Sequence, residues 1–300
     1  MEPFAVVALF NFDILVFLAL LSLAASFVNG GLGYGYSSLS TPLAILVIIN
    51  RIINPVYVVT EAGMNTFMLG ISGKENVKAM FRRTLPIILA LVPGVIVGSL
   101  VLSVVAPLWV RLIVYASILP LILLQAAGLR RPIKAEGKAG APLGFGIGLL
   151  YSITTISGPP IALFWNNQGL EKGEFKAAVA QVRIAESYLT CISYYFLGFF
   201  TATSFTLLSW VAPPVLLGIP LGMFIVKRVN VDTFRRVCMS FDAWIVGYGL
   251  ATVLGSLFGL LYFGYDVWVA VITIDILLLY RFFTHRRAVL QRQQARTAMA

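Results

Sequence analysis

The stretch AGAPLGFGIGLLYSITTISGPPIALFWNNQGL, residues 139–170, decides how this chain is built. Its 32 residues contain no Asp, Glu, Lys or Arg. That is too long for one membrane span and too short for two of about 20 residues each. Near its middle, Ser157-Gly158-Pro159-Pro160 cannot continue a helix. The segment is therefore expected to form a hairpin of two half-helices that enters a bilayer and turns back. Non-helical backbone at that depth is tolerated only where protein covers it or where it lines a polar cavity.

Working outward, five more uncharged stretches (14–50, 84–110, 112–129, 187–226 and 243–265) are long enough to span or re-enter a bilayer. The 300 residues are 59% hydrophobic and 11% charged, about half the charge of a soluble domain, with mean hydropathy +0.92. The fold class is an all-α, polytopic membrane bundle. A nucleic-acid binder is excluded despite the net charge of +10.

Position explains that charge. Nineteen of the 22 Lys and Arg fall in five clusters: Lys74–Arg83, Arg130–Lys138, Lys172 with Lys176, Lys227–Arg236, and Arg281–Arg296. Short basic loops stay cytoplasmic, so all five are expected inside. Spans at about 84–106 and 109–129, 176–200 and 205–226, and 234–262 and 266–280 then pair off as out-and-back crossings. The N-terminus, with Glu2 and Asp13 but no cation before Arg51, is expected outside. Residues 14–50 are broken at Asn29-Gly30-Gly31-Leu32-Gly33-Tyr34-Gly35, and 37 residues leave open whether those arms cross fully.

Ser37-Ser38-Leu39-Ser40-Thr41-Pro42 resembles Thr154-Thr155-Ile156-Ser157-Gly158-Pro159, and Gly94 and Gly98 recur as Gly218 and Gly222. Each half reads as an interrupted hairpin followed by three spans. The charge rule starts the first half outside and the second inside, which describes an inverted-topology repeat, the pattern of secondary transporters with a midplane site. The expected organisation is a first repeat over 1–129, a basic linker over 130–141, a second repeat over 142–262, an extra helix over 263–284 and a basic tail over 285–300. Packing glycines and plain kinks are the bland alternative.

On these features the chain resembles the TauE/SafE sulfite exporter family over about 12–260. The resemblance rests on Gly30-Gly31-Leu32-Gly33-Tyr34-Gly35 leading to Pro42, and on Gly144-Phe145-Gly146-Ile147-Gly148 leading to Gly158-Pro159-Pro160. The second copy has Ser152, Thr154 and Thr155 where the family pattern has a tight glycine cluster. The resemblance implies movement of sulfite, sulfoacetate or a similar small sulfur anion across a bacterial inner membrane.

If the hairpins meet, their helix N-termini offer backbone N–H groups to an anion. Gly33, Gly35 and Gly158 allow close approach, and Ser37, Ser38, Ser40, Thr41, Thr154, Thr155 and Ser157 supply hydroxyls. Helix-to-helix hydrogen bonding is the bland role for each hydroxyl. Arg183 is the sharper signal, because a charge at the centre of a membrane helix costs about 2.5–3.5 kcal/mol and its planar fork suits an oxyanion. The alternative is a structural pair with Glu186, three residues on. Glu61, with Asn65 one turn later, lies in the matching span, so Glu61 and Glu186 are candidates for a coupled proton or for structural partners of Arg183.

Asp275 is expected to pair with a neighbour, and Asp242 to reach the cytoplasmic boundary. Cys191, Cys238 and His285 have no metal-ligand spacing, and neither a nucleophile relay nor a P-loop is present, so no cofactor, metal or enzymatic activity is expected. A small anion and the bilayer are the expected partners. The oligomeric state stays open, a homodimer included, as do a carrier for another solute, a passive channel and a non-transporting scaffold.

Overall fold

The computed structural model describes residues 12–127, 136–166, 168, 170–259 and 261–298. Residues 130–135, which include Arg130, Arg131 and Lys134 of the basic cluster and half of the linker expected at 130–141, and Glu2 lie outside them. Among the described residues the fold has helices and no strands. The helices are α1 (Phe12–Leu32), α2 (Tyr36–Val47), α3 (Asn50–Ile71), α4 (Lys74–Val104), α5 (Pro107–Ala126), α6 (Glu136–Thr154), α7 (Gly158–Asn166), α8 (Lys172–Phe196), α9 (Ala202–Val226), α10 (Val231–Phe258) and α11 (Leu261–Ala298).

Both interruptions are present, with arms of unequal length on each side. At about 1.5 Å rise per residue, the 21 residues of α1 match a full hydrocarbon core, whereas the 12 of α2 cover a little over half of it. In the second hairpin α6 has 19 residues and α7 only 9, so the expected two half-helices are one long arm and one short one. The difference arises because α6 starts at Glu136, ahead of the uncharged stretch, and absorbs Pro142. It ends at Thr154, as the breaker predicts. Pro159 and Pro160 open α7, where the first-turn N–H groups have no intrahelical partner anyway.

The first break turns at Gly33 and Gly35, with φ of 83° and 110°, and the second at Thr155, with φ of 60°. A β-branched residue in the left-handed region is strained. Thr155 lies 122 residues after Gly33, and that same spacing recurs at several helix boundaries. It relates the ends of α1 and α6 (Leu32, Thr154), the starts of α2 and α7 (Tyr36, Gly158), the starts of α3 and α8 (Asn50, Lys172) and the ends of α4 and α9 (Val104, Val226). Two halves with one order of elements are therefore visible in the helices themselves.

Among the described residues, six helices are long and apolar enough to cross a membrane: α1, α4, α5, α9, α10 and α11. α3 and α8, of comparable length, carry the buried residues Glu61, Asn65, Arg183 and Glu186 and pack against each other. Around them the halves exchange partners, α4 lying along α6 and α9 along α1. Glycine makes this possible, as expected for the recurring pair. A methyl on Gly94 would strike the Phe145 carbonyl, and one on Gly222 the Phe27 carbonyl. Gly218 meets Leu23 and Phe27, the residues 122 before Phe145 and Leu149, which Gly94 meets.

Charged residues at helix ends are used locally. Arg51 donates from Nε to the Leu102 carbonyl at 2.8 Å and from Nη2 to that of Val105 at 2.9 Å, covering the end of α4. Asp275 pairs as expected, accepting from Arg236 Nη2 at 2.7 Å and from Trp244 Nε1 at 3.1 Å, which fixes α11 to α10. Asp242, expected at the boundary, is instead buried. One helix runs from Leu261 to Ala298, so residues 285–298 of the basic tail continue the last helix, with no Gly or Pro among them to break it.

Candidate functional site

Glu61 and Arg183 are each the twelfth residue of their helix, α3 and α8, and are 122 positions apart. They meet at the core of the bundle, where both side chains are fully buried and Arg183 Nη2 donates to Glu61 Oε1. Ser37, in the first turn of α2, donates to the same oxygen at 2.9 Å. Tyr151, near the end of α6, donates to Oε2 at 2.7 Å. Glu61 thus gathers one donor from the first hairpin, one from the second and a cation from α8.

Glu186 stands one turn from Arg183, with Oε1 3.8 Å from Arg183 Nε, and accepts from Ser157 of the second break. The arrangement is reciprocal: Ser37 of one hairpin holds the carboxylate on α3, and Ser157 of the other holds the carboxylate on α8. A second pair obeys the same register. Asn65 Nδ2 donates to Ser187 Oγ at 3.1 Å across 122 positions and lies 3.4 Å from the Arg183 carbonyl oxygen. The expected pair of Arg183 with Glu186 is therefore secondary, and Glu61 of the other half is the closer partner.

The hairpins touch directly. Thr41 and Thr155 share a hydrogen bond of 2.8 Å between hydroxyls, and a methyl on Gly158 would lie 3.1 Å from the Tyr34 ring. Broken backbone needs outside donors in a bilayer. Here Asn54 reaches the Ile153 carbonyl at 2.8 Å, Tyr194 that of Ser152 at 2.5 Å and Tyr115 that of Pro42 at 2.9 Å. The N-cap of α2 is Gly35, which has no side chain to cover the first-turn N–H groups.

The structure thus brings Ser37, Thr41, Glu61, Asn65, Thr155, Ser157, Gly158, Arg183 and Glu186 to the meeting place of the breaks. Two expected hydroxyls are engaged locally: Ser40 donates to the Tyr36 carbonyl at 2.8 Å, and Thr154 to that of Leu150 at 2.7 Å. Ser38 is buried on another face of α2, against a small cavity. Gly33 shapes the turn. Tyr151 and Ser187 were not singled out from sequence. Ser187 is found by adding the repeat spacing to Asn65, whereas Tyr151 in an uncharged run carries no signal of its own.

With all three groups ionised, Arg183, Glu61 and Glu186 sum to one negative charge. Hydrogen bonding is nevertheless incomplete: Arg183 Nε and Nη1 and Glu186 Oε2 are buried without a hydrogen-bond partner. Uncommitted guanidinium donors beside two hairpin N-termini can bind an oxyanion, provided the carboxylates yield. Cys191 and Cys238 are free thiols, and no cluster of metal-ligating side chains occurs among the described residues.

Six apolar spans surrounding two polar central helices and two touching broken hairpins define a polytopic helical membrane protein with a buried polar centre. Residues 18–248 match the profile of the TauE/SafE sulfite exporter family, and the chain belongs to that family, one of membrane transporters. Comparison with curated proteins returns no match, and comparison with solved structures likewise returns none.

Proposed function

We propose that this protein is a secondary transporter that carries a small sulfur oxyanion or organosulfonate across the bacterial inner membrane by alternating access. Its halves, 1–129 and 142–262, are inverted relative to each other, with the N-terminus outside and the C-terminus in the cytoplasm. Arg183 is the anion anchor. The single observation that carries this is its buried Nη1, which has no hydrogen-bond partner, beside an Nε held only in a 3.8 Å ion pair with Glu186, at the junction of the two breaks.

Without substrate, Glu61 occupies Nη2 and the anion must compete with it. A proton on Glu61 or Glu186 removes the competing charge, which makes these two the coupling candidates. Ser37, Ser157, Thr41, Thr155 and Asn65 supply hydroxyl and amide donors, Gly33, Gly35 and Gly158 permit close approach, and Ser38, Ser40 and Thr154 shape the tips. Reciprocal contacts between positions 122 apart support a two-fold relation between the halves, around which rocking would expose the site alternately.

The test is sulfite flux in proteoliposomes. A carrier saturates and shows counterflow, and Arg183→Gln abolishes both. Unsaturable flux would indicate a channel, and flux retained in Arg183→Gln would overturn the anion assignment.

A further inference from the structure

A second buried carboxylate lies on the other side of the first hairpin tip. Ser37 faces Glu61, while its neighbour Ser38 borders a cavity of about 20 Å³, the room of roughly one water molecule. Tyr34 and Gly35 of the same break, Pro159 of α7, and Cys238 and Asp242 of α10 also line it. Asp242 is 8% exposed, and its Oδ1 is buried without a hydrogen-bond partner.

The other buried acids have counter-ions: Glu61 and Glu186 share Arg183, and Asp275 has Arg236. Asp242 has none. Arg236, Ser240 and Trp244 form a stripe around the helix that serves α11. Of the groups facing the cavity, Arg235 is already paired with Asp232 at 3.0 Å. Tyr34 and Cys238 are the other titratable groups, and α1, α5 and α7 contribute only Val28, Leu32, Ile122 and Pro159.

We infer that Asp242 is a proton-exchange site, which takes up and releases a proton through this cavity and thereby sets the position of the first hairpin. An uncompensated carboxylate is strongly disfavoured in a membrane interior, so with the cavity closed the group is held as the acid. When the tip moves away, the proton passes from the carboxyl oxygen to water, leaving carboxylate and hydronium. Because Ser37 and Ser38 are consecutive on α2, that movement also withdraws Ser37 from Glu61. The inference goes beyond the anion reading, which assigns Asp242 no role.

The experiment has two arms on the full chain. Infrared difference spectra between acid and alkaline buffer should show a carboxylic-acid C=O band that Asp242→Asn removes and Glu61→Gln retains. A band unchanged in Asp242→Asn overturns the proposal, and a matching size-exclusion profile shows that the variant is folded. In proteoliposomes, each titrating group changes sulfite flux by up to roughly tenfold per pH unit, and Asp242→Asn should remove one such step from the profile while leaving the steps that Glu61, Glu186 and sulfite itself supply. A pH profile unchanged in that variant also overturns it. If the wild type carries no sulfite, the anion reading fails while the infrared arm still decides Asp242.

Discussion

Replacing Arg183 by Gln removes the one cation at the centre and leaves two carboxylates, Glu61 and Glu186, buried without it. Removing one partner of a buried ion pair costs about 3–5 kcal/mol, because the remaining charge is uncompensated. Glu61→Gln differs in kind. The amide oxygen still accepts from Ser37 or Tyr151, and Arg183 turns to Glu186, whose Oε1 is already 3.8 Å from Nε. Its loss is about one charge-assisted hydrogen bond, 1.5–3 kcal/mol. At about 2 °C per kcal/mol for a chain of this size, thermal unfolding in detergent should fall by roughly 6–10 °C for Arg183→Gln and about 3–6 °C for Glu61→Gln. The double variant should cost less than the sum, by about 0.5–3 kcal/mol, since the two residues touch. Equal single effects, or a larger one for Glu61→Gln, would refute the idea that Arg183 serves two carboxylates. Sulfite should raise the wild-type midpoint and leave that of Arg183→Gln unchanged.

Tyr151→Phe removes one donor to Glu61 and should lower sulfite flux while costing about 1.5–3 kcal/mol by thermal shift. Gly222→Ala drives a methyl into the Phe27 carbonyl and should destabilise by about 1–3 kcal/mol, whereas Gly63→Ala, with nothing within 4 Å, should stabilise by about 0.5–1 kcal/mol through helix propensity. Asp275→Asn leaves Arg236 buried without its counter-ion and should cost about 3–5 kcal/mol, with easier proteolysis between α10 and α11.

The apolar frame and the two breaks were legible because uncharged length, Pro pairs and Gly runs are local signals. The arms' lengths were not, since a helix can begin in charged sequence, as α6 does at Glu136 and α4 at Lys74. Hydropathy passes over α3 and α8, whose charges mark them as central. Arg183 and Glu61 stood out as intramembrane charges. Their pairing required a register of 122, whereas the motif at the breaks suggested 117; the glycine offset of 124 holds within α4 and α9, where Gly94 and Gly218 make matching contacts. The motif slips at the Ser-rich breaks, whereas the glycines inside α4 and α9 and several helix boundaries bring the halves into step. Asp242 was misplaced because counting turns from a helix end cannot reveal what packs over that end.

The exchange of partners between the halves also governs how the chain must be made. α4, whose Gly94 and Gly98 pack against α6, leaves the ribosome before α6 is complete, and α1 waits longer still for α9. Neither half can bury its glycine face alone, and Glu61 enters the membrane more than a hundred residues before Arg183. Synthesis must therefore pass through a stage in which a committed first half holds an unpaired carboxylate in or beside the translocon. Two separately expressed halves should accumulate only when produced together.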